Sequence, residues 1–111
     1  MKLKDKVAIV TGGGSSIGLA VAQRLALDGA AIVIADVVGA KDAAGALVNA
    51  GYAALGVAID VSSERDVQTM IDQTIARFGK VDILVNNAAI SKTLKMTAFE
   101  QLSVADWRRV P

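Results

Sequence analysis

Four short clusters carry the groups whose types and spacing could do chemistry. Thr11-Gly12-Gly13-Gly14-Ser15-Ser16-Ile17-Gly18 follows an apolar run, Asp36 closes a second run, Asp60-Val61 closes a third, and Asn86-Asn87-Ala88-Ala89 closes a fourth. A glycine-rich turn between a strand and a helix aims backbone N–H groups at one point, and its small residues let a pyrophosphate approach. A carboxylate at the end of the second strand can accept hydrogen bonds from both hydroxyls of an adenosine ribose, and it repels the extra 2′-phosphate of NADP. Either feature alone has a plain alternative: a glycine-rich turn is sometimes only a turn, and strand-end aspartates are common. Together, at this spacing, they favour a dinucleotide site. The chain has no histidine and no cysteine.

The elements that must position these clusters alternate along the chain, in the pattern of βαβ units. Residues 7–10 read as a buried strand and residues 17–28 as a helix, with Ile17, Val21 and Leu25 available for packing and Gly29 past its end. Residues 31–35 form the second strand. Residues 40–50 form a weaker helix with Ala44, Leu47 and Val48 on one face, followed by Gly51. Residues 53–59 read as a third strand, which Gly56 weakens. Ser63 caps the next helix, with Asp66 three residues on as an approximate capping box. Val67, Met70, Ile71, Ile75 and Phe78 form its apolar stripe, and Gly79 ends it. Residues 81–85 are the fourth strand. A polar loop over 90–97, containing Lys92 and Lys95, and a last helix capped by Ser103 and packed through Trp107 follow. We expect an α/β doubly wound parallel sheet of the Rossmann type, incomplete, with four strands in the order 3-2-1-4 and the fourth at an edge.

Composition narrows the function classes. The 111 residues suffice for one compact domain, and a hydrophobic share of 53% suits a parallel sheet covered on both faces. Twelve basic and eleven acidic residues are interspersed, for a net charge of +1, so no clustered basic face suggests nucleic acid. No apolar stretch reaches the ~20 residues of a membrane span, and no apolar core follows the N-terminal lysines as a signal peptide requires. We expect a cytoplasmic protein.

With these residues in view, the chain resembles the N-terminal part of a short-chain dehydrogenase/reductase, a family of Rossmann-fold oxidoreductases that use NAD or NADP. That family's first loop reads Thr-Gly-x-x-x-Gly-x-Gly; here Thr11, Gly12 and Gly18 match. Its Asn-Asn-Ala-Gly is similar to Asn86-Asn87-Ala88-Ala89, and its aspartate–hydrophobic pair to Asp60-Val61. Residues 106–110 resemble the start of its fifth helix. The resemblance implies that Gly12, Ser15, Ser16, Ile17 and Gly18 line the pyrophosphate and the nearby cofactor. It implies that Asp36 holds the adenosine ribose with Val37 beside it, that Asp60 bonds the adenine amino group, and that the Val61 backbone meets the ring. Asn86, Asn87 and Ala88 would both steady the sheet and pass along the cofactor.

Two departures stand out within the motifs. Ser16 replaces the middle glycine, and its Cβ is expected to crowd the pyrophosphate; its hydroxyl donating to phosphate is the other reading. Ala89 replaces the last glycine of the second motif, a milder change. The family's catalytic serine and Tyr-x-x-x-Lys have no counterpart here: the one tyrosine, Tyr52, is followed four residues on by Gly56. The resemblance therefore implies the NAD-binding part of an oxidoreductase that moves hydride between NAD(H) and an alcohol or carbonyl, with NAD preferred over NADP. We expect these residues to be inactive alone, and to self-associate through the fourth strand or to be completed by another chain. A second reading is a non-catalytic nucleotide-binding or interaction module. A third is an S-adenosylmethionine-dependent methyltransferase, against which Thr11-Gly12 and Asn86-Asn87-Ala88 weigh.

Overall fold

A computed structural model of the chain describes residues 2–14 and 16–87. Ser15, Ala88 and Ala89, the loop with Lys92 and Lys95, and the expected last helix with Trp107 lie outside the described residues. The elements run β1 (Val7–Thr11), α1 (Ser16–Leu27), β2 (Ala31–Asp36), α2 (Ala40–Asn49), β3 (Ala54–Ala58), α3 (Glu64–Phe78) and β4 (Ile83–Asn86). The four strands form one parallel sheet in the order β3-β2-β1-β4, as the alternation of strands and helices predicts.

Successive residues of a strand point to opposite faces, and each face of this sheet has its own core. Ala8, Val10, Ile32, Ile34 and Ala54 pack against α1 and α2 through Ala22, Ala26, Ala40, Ala43, Ala44 and Leu47. Ile9, Val33, Ala35, Val57 and Ile59 pack against α3 through Val67, Met70 and Ile71, with Ile75 and Phe78 partly buried beside them. The first core is rich in alanine on its helix side, which lets those two helices lie close to the sheet. The second takes the larger side chains of the α3 stripe. Because both faces are covered, β1 is buried along its whole length.

Several local expectations change in three dimensions. Gly56 does not weaken β3: a Cβ there would lie 2.5 Å from the Ala40 carbonyl oxygen and 2.7 Å from Lys41 Cα, so its bareness admits the start of α2 against the sheet. Ile17, expected to pack with Val21 and Leu25, is 70% exposed, because the buried stripe of α1 runs one residue over, through Gly18, Ala22 and Ala26. Val48 is also exposed, with the α2 face set by Ala40, Ala43, Ala44 and Leu47. β4 begins at Ile83 instead of Val81, because Asp82 takes over the preceding contact. Its carboxylate accepts the Val7 N–H at 2.8 Å and its own N–H donates to the Val7 carbonyl at 2.9 Å. No helix of the described residues is long and apolar enough to cross a membrane.

Candidate dinucleotide site

The carboxyl ends of all four strands lie on one edge of the sheet, and the chain direction reverses there. β1 is followed outward by β2 on one side and by β4 on the other, which makes the end of β1 a topological switch point, the place where open α/β sheets meet ligands. Of the residues singled out in the sequence, the described ones lie at these strand ends. Thr11 ends β1, Asp36 ends β2, Asp60 follows β3, and Asn86 ends β4.

The glycine loop is fixed from several sides. Gly12 adopts φ 68°, a left-handed conformation that favours glycine, and its N–H donates to the Ala35 carbonyl at 2.7 Å. Gly18 is buried in the first turn of α1. A Cβ on it would collide with the Gly12 carbonyl oxygen and lie 2.8 Å from Asn87 Nδ2. The helix start therefore rests directly on the loop, as a phosphate cradle requires. α1 has no acidic residue in its first turn, whereas α2 has Asp42 and α3 has Glu64 and Asp66. The positive end of the α1 dipole thus has no carboxylate in its own first turn, a setting that favours an anion over a cation. Ser16 and Ile17 are exposed on that first turn. Ser16 is the first helical residue, so its departure from glycine meets no demand for a left-handed backbone.

Asp36 is held by two backbone groups. Gly14 N–H donates to Oδ2 at 3.0 Å and Val37 N–H donates to Oδ1 at 2.7 Å. A carboxylate offers about four lone-pair sites, so each oxygen keeps one for a further donor. That is the complement of a vicinal diol such as a ribose. Val37 and Val38 are exposed beside it.

Asp60 lies in a turn that joins β3 to α3. Its Oδ1 accepts from the Ser62 N–H at 2.9 Å and the Ser62 hydroxyl at 2.7 Å, while its own N–H donates to Asp66 Oδ2 at 2.9 Å. Ser63 caps α3 by accepting the Asp66 N–H at 3.2 Å. The capping box is therefore half local: the Asp66 carboxylate reaches back to Asp60 instead of to the cap residue. Val61 is half-buried against the α3 side of the core.

Thr11 joins the end of β1 to the end of β4. It is fully buried, and its hydroxyl lies 3.3 Å from the Val85 carbonyl and 3.2 Å from Asn86 Oδ1, sharing one proton between them. It accepts the Asn87 N–H at 3.0 Å, and Asn87 Nδ2 lies 3.5 Å from the Gly12 carbonyl. Asn86 and Asn87 thus tie the end of β4 to the glycine loop. Sequence reasoning missed three participants: Thr11 as the junction, Gly14 as a donor to Asp36, and Ser62 as the partner of Asp60. The spacing Asp60-x-Ser62 signals such a turn, since aspartate commonly accepts from the residue two positions on.

A crevice of about 650 Å³ opens at the opposite edge, lined by Asp5, Lys6, Tyr52, Phe78 and Lys80 among others. It contains none of the motif residues. In open α/β sheets ligands meet the carboxyl ends of the strands, and the clusters above are at that end.

Comparison with known proteins agrees with this geometry. Residues 6–111 match the model of the short chain dehydrogenase family. The chain is 48% identical over 107 residues to cis-4-hydroxycyclohexanecarboxylate dehydrogenase of Sinomonas cyclohexanicum, covering 96% of this chain and 42% of that enzyme. It is 40% identical over 108 residues to D-threitol dehydrogenase of Mycolicibacterium smegmatis, covering 96% of this chain and 40% of that one. Among solved structures, hydroxysteroid dehydrogenase from Escherichia coli superposes with a TM-score of 0.87 at 27% identity, over 97% of this chain and 55% of that one. The chain thus spans less than half the length of these two curated relatives. With the family match, the Rossmann-type strand order and the glycine loop at the strand ends in agreement, the chain belongs to the short-chain dehydrogenase/reductase family of oxidoreductases.

Proposed function

We propose that these residues form the adenosine and pyrophosphate half of an NAD site in an oxidoreductase that moves hydride between NAD(H) and an alcohol or carbonyl. The observation that carries the reading is the Asp36 carboxylate. Two N–H groups fix it at the end of β2, beside the glycine loop, with one acceptor position left on each oxygen. The residues present fit a dinucleotide: Gly12 turns the loop with a left-handed φ, the bare Gly18 lets α1 start against that loop, and the first turn of α1 carries no carboxylate to repel a phosphate.

In this reading Gly12, Ser15, Ser16, Ile17 and Gly18 line the pyrophosphate. Asp36 takes the ribose diol with Val37 alongside, Asp60 takes the adenine amino group with Val61 against the ring, and Asn86, Asn87 and Ala88 pass along the remainder. NAD, when bound, supplies the hydride-accepting ring. This chain's own residues bind and orient the other end of the molecule. The serine and Tyr-x-x-x-Lys that handle the proton in this family have no match among the 111 residues, so hydride transfer is assigned to the whole protein. The relatives' names point to hydroxyl-bearing substrates, a cyclic hydroxy acid and a sugar alcohol, which supports an alcohol–carbonyl reaction without selecting a substrate.

NAD is preferred over NADP in this reading because Asp36 carries a charge where a 2′-phosphate would come, and residues 11–18 contain no basic residue to receive it. Calorimetric titration of the chain with both dinucleotides tests this. Tighter binding of NAD is expected; tighter binding of NADP overturns the role given to Asp36.

A further inference from the structure

The contact between Asp36 and the glycine loop extends to Gly14. This residue matches no fixed position of the family's loop pattern, and its side of the loop is exposed. Yet its N–H donates to Asp36 Oδ2 at 3.0 Å. A Cβ on Gly14 would lie 2.5 Å from the Val38 carbonyl oxygen, 2.9 Å from Asp36 Oδ2 and 3.3 Å from the Gly39 carbonyl carbon. Two of these neighbours are backbone and cannot swing aside. The third is the carboxylate itself. The glycine loop and the turn after β2 are therefore in direct contact, with Asp36 held between them.

We propose that Gly14 is a positioning residue for cofactor selection: its N–H and its bare Cα hold the Asp36 carboxylate where it meets the ribose diol. The inference rests on the assignment of Asp36 to the adenosine ribose. A side chain at position 14 pushes on the carboxylate and on the Val37–Gly39 turn together. The displaced carboxylate loses its aim at the two ribose hydroxyls, which weakens NAD. It also moves from the place where it repels a 2′-phosphate, which relieves NADP. The two cofactors therefore respond differently to one methyl group, whereas a general loosening of the fold weakens both alike.

The test compares the wild-type chain with Gly14→Ala and Gly45→Ala by titration with NAD and with NADP. Gly45 is the control, because a Cβ there meets nothing within 4 Å. Gly14→Ala is expected to lower NAD affinity about tenfold, the scale of a lost hydrogen bond to a charged group, and to reduce the NAD-to-NADP preference by at least that factor. Gly45→Ala is expected to leave both affinities unchanged. In parallel, hydrogen exchange at the Gly14 amide is expected to accelerate about tenfold in Asp36→Ala, which needs no ligand and no substitution at Gly14. An unchanged preference in Gly14→Ala, or an unchanged Gly14 exchange rate in Asp36→Ala, overturns this inference alone when the wild type binds NAD. A wild-type chain that binds neither dinucleotide overturns the cofactor reading and this inference with it.

Discussion

Replacing Gly18 by alanine sets two effects of opposite sign against each other. Gly18 is the third residue of α1, and alanine inside a helix is ordinarily worth ~1 kcal/mol over glycine. At this position the new Cβ would overlap the Gly12 carbonyl oxygen and lie 2.7 Å from the Gly12 carbonyl carbon. Both are backbone atoms in a loop already bonded to Ala35, and Asn87 Nδ2 closes another side at 2.8 Å. Relief must come from moving the loop or the helix start, and overpacking of this kind costs ~1–3 kcal/mol, with a rigid backbone at the upper end. The net expectation is a loss of ~2 kcal/mol after the helix gain is subtracted. For a chain of this size that lowers the melting temperature by roughly 8–16 °C. Gly45→Ala in α2 isolates the other effect, since nothing lies near its new Cβ; it should stabilise by ~0.5–1 kcal/mol. Urea unfolding of the three proteins followed by circular dichroism gives both values. If Gly18→Ala proves as stable as the wild type, the loop is not packed against α1 as described, and the phosphate cradle built on that contact falls with it.

Other consequences concern the site and the sheet edge. Ser16→Gly should tighten NAD binding if the serine Cβ crowds the pyrophosphate; unchanged or weaker binding by calorimetry shows that it does not. The isolated 111 residues should transfer no hydride to or from any member of an alcohol and ketone panel, and turnover that persists through purification from host enzymes refutes this. Among the described residues β4 pairs only with β1, and Ile83, Leu84 and Val85 are half-buried, so the free edge should promote self-association. Sedimentation should show larger species as concentration rises; a monomer at every concentration rejects that role for β4.

Much of the fold was legible in the sequence. The apolar runs ending at Thr11, Asp36, Asp60 and Asn86, separated by helices, require parallel strands with crossovers, and the handedness of crossovers leaves few orders. The α3 stripe was equally clear, because Val67, Met70 and Ile71 recur at helical spacing and all face the sheet. The described motif residues Thr11, Gly12, Asp36, Asp60 and Asn86 also lie at the carboxyl ends of the strands, where their spacing put them. These features are local or periodic, so a linear pattern records them.

The misread features depend on neighbours distant in the chain. Ile17 shares helical spacing with Val21 and Leu25, but the sheet takes the neighbouring stripe of Gly18, Ala22 and Ala26 and leaves Ile17 exposed. Gly56 looks like a weak point of β3 until the Ala40 carbonyl of α2 is seen against it. Gly14 acquires meaning only because the turn after β2 folds onto the first loop, and Thr11 only because β4 lies beside β1, 74 residues or more along the chain. The sequence by itself determined the family, the strand order and the chemical types placed at the strand ends, because periodicity and motif spacing are properties of the chain. Tertiary structure alone decided which backbone groups hold Asp36, which glycines are spatially compelled and which apolar residues stay in water. Hydrogen bonds and steric contacts act over a few ångströms of space, whatever the separation in sequence.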